Sequence, residues 1–105
     1  MSSVRMTQVT ALILQAVAAG HRYGFDIMDA TGLASGTVYP ALRRLEEARY
    51  LRGTWEEAPR SGRRGRPQRR FYELTTAGET ALEGAREKLA SARAFLVTTA
   101  RANEA

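Results

Sequence analysis

Residues 31–46 read Thr-Gly-Leu-Ala-Ser-Gly-Thr-Val-Tyr-Pro-Ala-Leu-Arg-Arg-Leu-Glu, which places a tight turn directly before a helix with two unlike faces. Thr31-Gly32 interrupts whatever helix precedes it, because glycine reaches the left-handed backbone angles that end one. From Ser35 the apolar residues return at Val38, Ala41, Leu42 and Leu45, the three- and four-residue spacing of a buried helical stripe. Ser35 is expected to cap this helix. Pro40 is expected to lie close enough to its start that the missing N–H costs little, and Ala48 marks its end. Ser35, Gly36, Thr37, Tyr39, Pro40, Arg43 and Arg44 are left on the other sides.

The flanking sequence gives this helix its neighbours. Upstream, Arg22 to Ala30 reads as a short helix, with Phe25, Ile27 and Met28 for packing and Asp26 near its positive N-terminal end. Four residues, Thr31 to Ala34, join it to the next helix, as in a helix-turn-helix unit. Before that, Thr7 to Ala19 carries Val9, Leu12, Ile13, Ala16 and Val17 at helical spacing, with Gly20 as a natural stop. Downstream, Leu51–Glu57 and Arg69–Leu74 are rich in strand formers and are expected to pair antiparallel, with Trp55, Phe71 and Tyr72 mostly packed against the helices. Their connection, residues 58–68, contains Pro59, Gly62, Gly65 and Pro67 and reads as a loop.

A fourth helix starts at Thr75 or Thr76, where Thr76-Ala77-Gly78-Glu79 fits a capping box, and runs to about Ala100. Leu82, Ala85, Leu89, Ala92 and Leu96 recur along it at alternating intervals of three and four, a coiled-coil seam, with Phe95 beside it. That seam either pairs two copies of the chain or packs on the chain's own first helix. Both hold if the early part folds back and the later part pairs. The fold class is therefore mainly α with a small two-stranded antiparallel wing. Residues 1–74 form a winged helix-turn-helix unit with its wing loop at 58–68, and residues 75–105 form a C-terminal dimerisation helix and tail.

Composition narrows the function. A chain of 105 residues with 44% hydrophobic residues builds one small domain with a thin core, which makes dimerisation a source of stability. It has no cysteine and a single histidine, His21, so disulfides, thiolate metal sites and multi-histidine sites are excluded. No motif places a histidine beside Ser2, Ser3, Ser35, Ser61 or Ser91 to activate it, so no enzyme and no cofactor is expected. The apolar stretch Ala11–Ala19 is interrupted by Gln15 and falls far short of the roughly 20 residues of a membrane span. No basic region leading into an apolar run opens the chain, so a cytoplasmic protein without membrane contact is expected.

The charge is unevenly placed. Sixteen basic residues, all arginine except Lys88, oppose eleven acids for a net charge of +5. Arg60, Arg63, Arg64, Arg66, Arg69 and Arg70 stand together with no acid between them, so the rest of the chain carries a slight negative excess. Such a patch suits a polyanion, because guanidinium groups pair with phosphate oxygens and release condensed counterions. It also suits a solvated loop. On the third helix, Ser35 and Thr37 can hydrogen-bond phosphate or base edges, Gly36 permits close approach, and Tyr39, Arg43 and Arg44 reach further. By residue type alone this face is equally a capped helix with a solvated side.

The residues Gly24-Phe25-Asp26-Ile27, then Gly36-Thr37-Val38-Tyr39-Pro40-Ala41-Leu42-Arg43-Arg44-Leu45-Glu46, then Trp55, then Tyr72-Glu73-Leu74-Thr75-Thr76-Ala77-Gly78 resemble the signature of the PadR family of bacterial transcription regulators. The resemblance runs from about Leu12 to Leu82. It implies a homodimeric winged-helix protein, usually a repressor, whose third helix enters the major groove of double-stranded DNA while the wing grips the backbone. It also implies a DNA contact from Tyr23 at the start of the second helix. The sequence departs from the family twice. Arg49 stands where glycine often follows the third helix, which predicts a helix end without the left-handed turn, and Phe25 replaces a tyrosine and so lacks a hydroxyl for phosphate. Some relatives bind flat small molecules between dimer helices through aromatic side chains, but Phe95 is the only aromatic residue of this fourth helix, so an effector is unsupported. A second reading is a winged helix that serves as a protein or RNA module, its arginine loop meeting an acidic partner.

Overall fold

Thr7 opens the first helix, α1 (Gln8–Ala18): its hydroxyl accepts from the Thr10 N–H at 3.2 Å while its own N–H donates to Thr10 Oγ1 at 2.8 Å. This is a computed structural model that describes residues 6–56 and 69–104. The expected loop 58–68, with Arg60, Arg63, Arg64 and Arg66, lies outside the described residues. In chain order α1 is followed by α2 (Gly24–Thr31), α3 (Ser35–Glu47), β1 (Leu51–Trp55), β2 (Arg70–Leu74) and α4 (Thr76–Glu104). Three short helices, a two-stranded antiparallel hairpin and a long helix are the elements of a winged helix, as expected.

The core lies where α1, α2 and α3 meet, closed by the hairpin and by the start of α4. Ile13, Leu14, Ile27, Val38, Ala41, Leu42, Leu45, Leu51, Tyr72 and Leu82 are buried in it. The stripe expected on α3 is therefore the stripe that packs. On α1 the expected Ile13, Ala16 and Val17 are buried, but Thr10 and Leu14 join them, while Val9 is half-buried and Leu12 is 39% exposed. With two leucines and an isoleucine in succession, apolar spacing fits either face. Leu12 instead lines an open groove with Met6, Ala85 and Leu89, between α1 and α4.

Four local expectations are corrected. The second helix begins at Gly24, because Arg22 and Tyr23 are drawn into the sheet: the Tyr72 N–H donates to the Arg22 carbonyl at 2.8 Å, and Tyr23 bridges Phe71. Ser35 is the first residue of α3 and does not cap it; the N–H groups of Thr37 and Val38 both donate to the Ala34 carbonyl at 3.0 Å, so the turn closes one residue earlier. Pro40 stands inside α3, where it removes the N–H due to the Gly36 carbonyl. Arg49 does adopt the left-handed conformation, with φ of 64°. The Tyr50 N–H reaches back to the Leu45 carbonyl at 2.9 Å and the Arg49 N–H to the Glu46 carbonyl at 3.0 Å, a Schellman turn closed by arginine in place of glycine.

That turn sets the start of α4. The Thr75 hydroxyl donates to the Arg49 carbonyl at 2.5 Å and accepts from the Gly78 N–H at 3.0 Å, so the cap is Thr75 and the Thr76–Glu79 box is not formed. α4 continues for 29 residues, about 43 Å at 1.5 Å per residue, and gives the molecule extents of 68 × 30 × 21 Å. Leu82 belongs to the chain's own core, and Arg86 donates from Nε and Nη2 to Gln15 Oε1 at 3.0 and 2.6 Å, fastening α4 to α1. Beyond that point Leu89, Phe95 and Leu96 are exposed.

Candidate nucleic-acid interface

The stripe that buries α3 in the core dictates what its other side offers. Ser35, Gly36, Thr37, Tyr39, Pro40, Arg43 and Arg44 are all exposed and lie on one continuous outward surface. Tyr39 is fixed from below: a Cβ at the buried Gly24 would fall 2.5 Å from Tyr39 Cε1, so the glycine lets the ring rest on the first turn of α2. Among the described residues neither Arg43 nor Arg44 is held by an acid, which leaves two guanidinium forks directed at solvent. The helix start adds exposed N–H donors and positive potential. A cylinder about 10–12 Å across with polar side chains on its outer face matches the roughly 12 Å width of a major groove.

At the root of the wing the arginines are engaged differently. Glu56 Oε1 accepts from Arg69 Nε at 3.0 Å and Glu56 Oε2 from the Tyr23 hydroxyl at 3.2 Å. The Arg69 guanidinium also lies over the Tyr23 and Phe25 rings, 5.0 and 5.5 Å from their centroids. The hydrogen bond from Arg69, against the opposing effect of burial, holds the Glu56 carboxyl below its ordinary value. On the other face of the hairpin Arg70 Nη2 donates to Glu46 Oε1 of α3, and the Arg70 guanidinium covers the Trp55 ring at 5.1 Å. Here too the hydrogen bond to Glu46 is the main cause of a shift, raising the Arg70 guanidinium above its ordinary value. Gly53 makes room for this pair, since a Cβ there would lie 2.6 Å from Arg70 Nε and 2.7 Å from Glu46 Oε1.

Of the aromatic residues expected in the core, only Tyr72 is buried; Phe71 is half-buried and Trp55 is 58% exposed. Trp55 shares a sheet face with Leu51, but it lies at the far end of β1, where its cross-strand partner Arg70 covers it. Tyr23 is half-buried, and its hydroxyl is committed to Glu56. Sequence reading missed both acids that hold the wing arginines. The hairpin register held the signal for one of them: Trp55 pairs with Arg70, so Glu56 stands opposite Arg69. Along α4 the seam divides, with Leu82 buried, Ala85 half-buried, and Leu89, Ala92, Phe95 and Leu96 exposed. Among the described residues no helix is long and apolar enough to cross a membrane.

An exposed polar helix behind a helix-turn-helix bend, flanked by a hairpin with arginines at its root, is the winged-helix architecture of DNA-binding transcription regulators. The chain matches the Transcriptional regulator PadR-like family over residues 13–84 and belongs to it. Its fold is similar to that of a PadR family transcription regulator from Clostridium difficile, with a TM-score of 0.77 over 89% of this chain and 98% of that one at 22% identity. A Streptococcus mutans protein is 30% identical with a TM-score of 0.68, the match covering 81% of this chain and 78% of the other. A PadR-like transcriptional regulator from Bacillus cereus gives a TM-score of 0.71 at 20% identity, over 87% and 89% of the two chains. No curated protein matches the chain.

Proposed function

We propose that the protein is a cytoplasmic homodimeric repressor that binds a pseudo-palindromic operator and blocks access of the polymerase. The observation that carries this reading is the outward face of α3, whose Thr37, Tyr39, Arg43 and Arg44 are exposed with both guanidinium groups unclaimed by acids among the described residues. In this reading residues 1–74 bind DNA. Ser35, Gly36 and Thr37 approach base edges and phosphate from the helix start. Arg43 and Arg44 span guanine edges or the flanking backbone, where a guanidinium fork matches two acceptors at once. Arg60, Arg63, Arg64 and Arg66 hold phosphates without reading sequence, and Tyr23 lies beside the backbone.

Residues 75–105 join two copies. The exposed run Leu89, Phe95 and Leu96, with Ala92 on the same seam, supports pairing through the outer half of α4. A two-fold dimer presents its α3 helices to successive major grooves about 34–36 Å apart, which demands a two-fold symmetric site. No cofactor, catalytic group or small-molecule effector is part of this reading.

Selection of bound sequences from a random duplex pool tests it. The expected outcome is an enriched inverted repeat with half-sites one helical turn apart. Absence of enrichment, or preference for duplex RNA of matched length, contradicts it, because A-form RNA hides its major groove from a helix.

A further inference from the structure

Two of the six arginines in the basic patch, Arg69 and Arg70, stand at the root of the wing and are answered by acids from elsewhere in the chain. Glu46 is on α3, the helix whose outer face carries Tyr39 and Arg43, and is half-buried on the side turned to the hairpin. Its partner Arg70 reaches it across Gly53, a position where any side chain would intrude on both charged groups. Glu56 continues β1 and joins Arg69 to Tyr23, the residue that opens α2. Each pair therefore bridges the hairpin to a different helix of the helix-turn-helix unit. A guanidinium whose charge is met by a carboxylate and whose flat face lies over an aromatic ring is partly neutralised and fixed in direction, which weakens its pull on a phosphate.

We infer that Glu46 and Glu56 are positioning residues for DNA binding, which fix the angle between wing and α3 through Arg70 and Arg69, and that these two arginines serve the wing's placement and not the phosphate contact. The inference rests on the DNA-binding reading above and assigns two acids to a surface where acids would otherwise only repel the ligand. The wing's phosphate contacts then fall to the other arginines of the patch. Removing Glu46 takes away a negative charge near DNA, which by simple charge counting tightens binding. Positioning demands the opposite.

The test uses the full chain and a mixed-sequence DNA duplex, with affinity measured across a salt series and emission of Trp55, the protein's one tryptophan. Glu46→Gln, Arg70→Gln and Gly53→Ala are compared with the exchanged pair Glu46→Arg with Arg70→Glu. Gly53→Ala displaces the pair while keeping every charge, and it meets only the ends of flexible side chains, so the fold survives it. Each of these three variants is expected to weaken binding about fivefold, the scale of one ion pair, with the salt dependence unchanged and the Trp55 emission shifted. The exchanged pair is expected to recover most of the affinity. A salt slope reduced by about 0.9 in Arg70→Gln makes Arg70 a phosphate contact and overturns the inference. So does tighter binding by Glu46→Gln, or an exchanged pair that binds no better than Glu46→Gln and Arg70→Gln. If the wild-type chain binds no duplex at all, the DNA-binding reading fails first, an outcome separate from these.

Discussion

Substitution of Leu89 by alanine should separate two copies of the chain without disturbing either. Leu89 is 70% exposed in the single chain, so its loss removes no contact from the core around Leu82 and leaves monomer stability within about 0.5 kcal/mol. In a dimer joined along α4 the same side chain is covered. Leucine to alanine deletes about three methylene equivalents, each worth about 0.8 kcal/mol when buried, and the 70% that is exposed reduces this to about 1.7 kcal/mol per chain. Two copies lose about 3.4 kcal/mol, or roughly three-hundredfold in the dimer dissociation constant. Light scattering over a dilution series, with sedimentation equilibrium near the midpoint, measures it. Leu96, at 66% exposure, should behave alike, and operator affinity should fall in parallel because half-sites would be bound separately. An unchanged dissociation constant for both variants would remove the seam from the interface, and a wild-type chain that stays monomeric at high concentration would remove the dimer itself.

Arg49→Gly should stabilise the fold by about 0.5–1 kcal/mol, the cost of left-handed arginine at φ 64° less the extra entropy glycine keeps when unfolded, and raise the melting temperature by a few degrees; a lower melting temperature would refute the cost assigned to that turn. Replacing Arg60, Arg63, Arg64 and Arg66 by glutamine should weaken binding to every duplex alike and flatten the salt dependence by about 0.9 for each phosphate left without its guanidinium, whereas an unchanged slope would leave the patch as a solvated loop. The lowered pKa of Glu56 fixes a sign in pH: a depressed carboxylate stabilises the folded state above its unfolded value near 4.5 and loses that contribution as pH falls through the lower folded value. The stability difference between wild type and Glu56→Gln should therefore be constant from pH 7 to 5 and shrink only in acid below 4.5; a difference that shrinks already at pH 6 would contradict the pairing.

Periodicity exposed most of this fold. Val38, Ala41, Leu42 and Leu45 leave α3 a single way to pack, so its outward residues follow by subtraction, and every one of them is exposed. The failures have physical reasons. Leu12, Ile13 and Leu14 are consecutive, so spacing alone does not choose between Leu12 and Leu14 for the core; in the fold Leu14 is buried and Leu12 faces the groove beside α4. Ser35 has the chemistry of a cap, but the turn from Gly32 closes on the Ala34 carbonyl, a fact of backbone path that side-chain identity does not carry. Arg49 occupies a glycine position because Tyr50 and Thr75 hold that turn from both sides. Trp55 shares a face with Leu51 yet is 58% exposed, covered in part by Arg70 across the hairpin. The arginines between Arg60 and Arg70 read as one patch along the chain, while in space Arg69 and Arg70 are answered by acids 13 and 24 positions upstream. A local charge count has no access to such partners.

The central claim is that the outer face of α3 reads base sequence. Its most direct test is the affinity of Tyr39→Ala and Arg43→Ala for the selected operator and for a scrambled duplex of equal length, measured at one salt concentration. Sequence reading requires the operator complex to lose about 1–3 kcal/mol while the scrambled complex changes little. Equal losses on both duplexes would confine the face to backbone contact, and no loss on either would take α3 out of the interface.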